Sequence, residues 1–145
     1  MPTATLAAQE RTRAFARVIG PYVATFTLVY AIRLPALTGL VDDLFAQPVL
    51  VWLLGALMLG GGLVIVGGHR SWQGPLAVTI SLFGWFVAVR GFLLIATPSA
   101  IRSGVDATLL SPTATLIARV FFGLLAVMGL LLTYAGWFTK PKTPA

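Results

Sequence analysis

Four apolar runs constrain this chain more than any other feature. A membrane-crossing helix takes about 20 mostly apolar residues, and each run approaches or exceeds that length. The first is VIGPYVATFTLVYAIRL, 18–34, with Pro21 in what reads as its opening turn, where a missing N–H costs little. The second, PVLVWLLGALMLGGGLVIVGG, covers 48–68. The third covers 75–97 and is closed by Pro98. The fourth opens at Ser111-Pro112, an N-cap followed by proline at the first helical position, and covers 112–138.

Composition agrees with a lipid solvent. The chain is 58% hydrophobic and 10% charged, with a mean hydropathy of +0.93. A soluble domain carries about a quarter charged residues, so this chain cannot cover a folded surface with polar groups. The expected fold is all-α: one integral-membrane four-helix bundle over residues 1–145. Arg11, Arg13 and Arg17 before an apolar run imitate a signal peptide. No small-x-small cleavage site follows, so the run reads as a retained span.

The connections set neighbours and orientation. Only HRSWQG separates the second and third runs, which makes them antiparallel neighbours. In PALTGLVDDLFAQ, Leu37, Leu40, Val41, Leu44 and Phe45 follow helical spacing with Asp42 and Asp43 opposite, which predicts a short helix at the membrane surface. SAIRSGVDATLL reads as a loop with a turn at Ser103-Gly104. One side of the membrane then holds Arg11, Arg13, Arg17, Arg70, Lys140 and Lys142 against Glu10 alone. The other holds Arg33, Arg90, Arg102 and Arg119 against Asp42, Asp43 and Asp106. By the positive-inside rule both termini face the cytoplasm, with Trp72 and Trp137 in the aromatic belt of that side.

Lipid supplies no hydrophobic force between helices, so small residues mark their contacts. The third run aligns Ala77, Ser81, Gly84, Ala88 and Gly91 on one stripe. The fourth aligns Gly123, Ala126, Gly129, Thr133 and Gly136, and the second aligns Ala56, Gly60 and Gly67. Three stripes exceed what one small bundle needs, so part of this surface is expected to face outward, toward another copy or another subunit.

Arg90 lies inside SLFGWFVAVRGFLLIATP, where a charge at a span's centre costs about 2.5–3.5 kcal/mol. Its backbone lies roughly 10 Å from the outer end of the helix, within snorkelling reach. Arg33 and Arg119 fall in the outer halves of their own spans. The expected partners are Asp42 or Asp43 for Arg33 and Asp106 for Arg90 or Arg119, with an anion or headgroup site formed by the three arginines as the alternative.

Reactive chemistry is sparse. Cysteine is absent, which removes thiolate catalysis and Cys-ligated metals. His69 is the single histidine, and it reads as an interfacial residue capping helix carbonyls. A haem would need Met58, Met128 or a second subunit as partner, and zinc would lack its other ligands. No carboxylate lies within a span, and no nucleotide, phosphate or nucleic-acid motif occurs. No catalysis, metal or cofactor is expected.

The segment 63–98 resembles a family of small multi-span bacterial inner-membrane proteins without assigned activity. The shared pattern places His69, Trp72, Gly84-Trp85, Arg90-Gly91 and Pro98 on one hairpin; Arg70 stands where family members often carry Asn. The resemblance implies a bacterial inner-membrane location and supplies no substrate. The expected role is non-catalytic: an accessory or assembly subunit of a larger membrane complex, or a homo-oligomer. The alternative is a small transporter or a lipid- or anion-binding protein using the outer arginines. The expected partners are the bilayer and other membrane subunits or itself, with no nucleic acid.

Overall fold

The computed structural model describes residues 2–69, 72 and 74–139, with side chains from residue 7 onward except residue 35. Arg70, Lys140 and Lys142, half of the cations assigned to the side of the termini, lie outside the described residues. The described chain is all-helical: α1 (Pro2–Arg33), a single 3-10 turn, α2 (Leu37–Phe45), α3 (Pro48–Gly68), α4 (Pro75–Ala96), α5 (Pro98–Leu110) and α6 (Pro112–Trp137). Four helices, α1, α3, α4 and α6, are long and apolar enough to cross a membrane. The chain is a multi-pass membrane protein on that ground.

Two antiparallel pairs organise the molecule. In α1–α6, Arg17 lies beside Gly136, Gly20 beside Thr133, Ala24 beside Gly129 and Tyr30 beside Phe122. In α3–α4, Gly55 lies beside Gly91 and Leu94, Gly62 beside Ala88 and Ile65 beside Gly84. Glycine decides how closely the axes approach. A Cβ at Gly62 would lie 2.7 Å from Ala88 Cα, and one at Gly129 would lie 2.8 Å from Ala24 Cα. The pairs meet where Ile80 of α4 joins Ala16, Ile19, Val23 and Leu132 in a buried cluster flanked by Phe15, Ile65, Leu76 and Phe83. Gly74, immediately before α4, has a φ of 90°, a backbone that suits glycine.

Two expectations change here. Helix α1 begins at Pro2, sixteen residues before the expected start, because the stretch before Val18 has its own buried face. Thr12, Ala16, Ile19 and Val23 are buried at steps of four, three and four, a helical stripe. Pro21 is therefore interior to α1, and it cannot donate to the Arg17 carbonyl one turn back. That carbonyl accepts instead from Trp137 Nε1 at 3.3 Å.

The segment after Pro98 is a helix, α5, and Gly104 lies within it. Proline suits the first position of a helix. Ser103 and Thr108 donate to the carbonyls of Ser99 and Gly104, at 3.0 and 2.8 Å, so their hydroxyls do not pull the backbone out of helical form. Ile101, Val105, Thr108 and Leu109 are the less exposed stripe of α5. At its end Ser111 Oγ caps α6 by accepting from Ala114 N at 3.3 Å.

Candidate functional site

His69 follows the last residue of α3 and is buried, at 2% exposure. It joins three helices. Its Nε2 lies 3.0 Å from Thr12 Oγ1 of α1, and its Nδ1 lies 3.2 Å from Ser81 Oγ of α4. The Phe15 ring meets the imidazole edge-on, with centroids 5.6 Å apart. Thr12 donates its hydroxyl proton to the Ala8 carbonyl at 2.9 Å, so toward His69 the same oxygen accepts. This assigns the proton to Nε2 and leaves Nδ1 of the neutral ring to accept from Ser81. Burial holds the His69 pKa below its usual 6.5. A hydrogen bond with its own backbone opposes that shift, and the Arg11 charge adds to it.

Beside this cradle lies a cavity of about 260 Å³, lined by Val66, His69, Trp72, Ser81 and Trp85. His69 and Ser81 are its buried polar groups, and the two tryptophans are about half exposed. Thr12 and Phe15 were not singled out from the sequence. For Thr12 and Phe15 the missing information was the extension of α1, which puts Thr12 on the same stripe as Ala16 and Ile19.

The small-residue stripes divide between covered and uncovered. Ala77, Ser81, Gly84, Ala88 and Gly91 are all buried in the face of α4. On α6, Ala126, Gly129 and Gly136 are buried against α1, while a Cβ at Gly123 would meet no atom within 4 Å. On α3 the buried positions are Val51, Gly55 and Gly62. Ala56, Gly60 and Gly67 share a face as expected, but all three are exposed, and nothing lies within 4 Å of Cβ positions at Gly60 or Gly67. The face of α3 that packs inside the molecule is thus displaced from the one the spacing picked out.

The acids go to a different arginine from those expected. Arg102 pairs with Asp42 of α2 at 3.1 Å and with Asp106, one turn along α5, at 3.7 Å. It also lies over the Phe45 ring at 5.9 Å. Asp43 is exposed, and among the described residues Arg33, Arg90 and Arg119 form no ion pair. Arg102 reaches these acids because α5, being helical, carries it beside α2 and puts Asp106 one turn along from it.

Among the described residues no three His, Asp or Glu side chains gather as a metal site. Comparison with known proteins gives no match, whether with family models, characterised proteins or solved structures.

Proposed function

We propose that this protein is a non-catalytic packing subunit of the bacterial inner membrane, docking through the outer face of α3 onto another membrane helix, its own copy or a different subunit. The single observation carrying this is the uncovered row Ala56, Gly60, Leu63 and Gly67, exposed along about three turns while Gly55 and Gly62 of the same helix are buried within the molecule. In lipid, close backbone approach through such residues is a main source of helix association. Glycine is otherwise a poor choice there, since each one weakens an exposed helix by about 1 kcal/mol relative to alanine.

The six cations against one acid on the side of the termini support a cytoplasmic placement for both ends. The four long helices then form the bundle, and α2, with Asp42 and Asp43 exposed and Leu37, Val41, Leu44 and Phe45 partly covered, lies at the outer surface. Mass measurement of the protein extracted in mild detergent tests the role. A particle larger than one chain supports it, and a strictly monomeric, partner-free particle contradicts it.

One observation favours a second reading. Asp42 and Asp106 are engaged by Arg102, so Arg33, Arg90 and Arg119 are left to phosphate-bearing headgroups or anions in the outer half of the bilayer. Loss of anionic-lipid retention in Arg90→Ala, by mass spectrometry of the detergent-released protein, is its test.

A further inference from the structure

The cavity beside His69 has a chemistry that the packing role does not use. Its described lining offers hydrogen-bond donors and apolar surface: the Ser81 hydroxyl, two indole N–H groups and Val66, with His69 Nδ1 as an acceptor. There is no carboxylate among these residues to hold a cation, although two tryptophans would otherwise suit one. There is no guanidinium or ammonium among them to hold an anion. Among the described lining residues this composition favours a neutral ligand that accepts hydrogen bonds.

Size and position narrow the class. About 260 Å³ is below the roughly 300–1,000 Å³ of pockets that enclose a drug-sized ligand, so it suits one ring with the rest of the molecule outside. Outside is apolar: Leu82, Phe86 and Val89 are exposed on α4 beside Trp85. Indole walls favour a flat aromatic ring. The His69–Ser81 contact, at 3.2 Å, is the longer of the two made by the imidazole and the easier to exchange for a ligand carbonyl.

We infer that this cavity binds the head ring of a lipid-soluble quinone, with a ring carbonyl accepting from the Ser81 hydroxyl and the tail lying along the exposed face of α4. The site is distinct from the α3 docking row, so either can fail without the other.

The test uses the full chain in detergent and a benzoquinone with one isoprene unit as probe, read by quenching of tryptophan fluorescence. Saturable binding with one site is expected. Ser81→Ala weakens it about five- to tenfold, the effect of one lost hydrogen bond. Val66→Phe, which fills the cavity without touching the imidazole contacts, removes saturable binding. Trp52→Phe, on the first turns of α3, leaves the isotherm unchanged. Quenching that rises without saturation overturns the inference, as does saturable quenching that both cavity variants leave intact. Full displacement by phosphatidylglycerol also overturns it, by giving the site to an anionic headgroup.

Discussion

Trp137 Nε1 donates at 3.3 Å to the carbonyl of Arg17, the group that Pro21 leaves without its helical partner. Arg17 reciprocates: its Nε donates at 2.9 Å to the Gly136 carbonyl in the last turn of α6, and its guanidinium lies 5.9 Å from the Trp137 ring centre. A proline defect in one helix and the open carbonyls at the end of another are thus resolved by the same two side chains.

Trp137→Phe keeps the ring and removes the donor, so it should cost about 1 kcal/mol. In a Pro21→Ala background the alanine amide serves the Arg17 carbonyl, and the same change should cost clearly less. A double-mutant cycle of unfolding free energies in mixed micelles reads the difference; equal costs in both backgrounds would refute the link.

Glycine substitutions should separate covered from uncovered positions. Gly62→Ala and Gly129→Ala drive a methyl into the Ala88 and Ala24 backbones and should destabilise by about 1–3 kcal/mol. Gly60→Ala meets nothing within 4 Å and should stabilise the isolated chain by up to about 1 kcal/mol. Thermal unfolding of the three variants checks the ordering.

The His69 cradle makes stability depend on pH. Its folded pKa is below 6.5, so on acidification the unfolded chain takes up the proton first. The contribution is complete above about pH 6.5 and is lost progressively as pH falls below it. Melting temperatures at pH 7.5 and 5 should therefore diverge in the wild type, and His69→Gln should narrow the gap. An unchanged gap would mean that His69 carries no part of the dependence.

The Arg102 pairs are solvent-facing, with side-chain exposures of 44%, 64% and 42% for Arg102, Asp42 and Asp106. Exposed pairs of this kind contribute about 0–1 kcal/mol. Arg102→Ala should lower stability by no more than that, and high salt should abolish the difference.

Much of this architecture is legible from residue spacing. Three of the four long apolar runs end at proline or glycine, and the stripe from Ala77 to Gly91 is a buried face because five small residues at helical steps have no better use in lipid. Spacing alone fails on α3, where Gly55 and Gly62 are as regularly placed as Ala56 and Gly60, and only the partner's surface chooses between the rows. It fails again at α5, where Ser103-Gly104 carries a turn signal that the helical backbone and hydroxyl back-bonding override. The Thr12–His69–Ser81 cradle was hidden for a different reason. It depends on an α1 that starts well before the apolar run and brings Thr12 to a residue 57 positions away.

The central claim is that the uncovered face of α3 meets another protein helix in the membrane. A photo-crosslinking amino acid placed at Leu63, within the exposed row, tests this directly in native membranes, with the same residue at the exposed Leu124 of α6 as control. The account predicts a discrete protein adduct from position 63, either a dimer of this chain or a single larger partner, and lipid adducts alone from position 124. Lipid adducts alone from both positions, or a protein adduct from position 124 only, would contradict it.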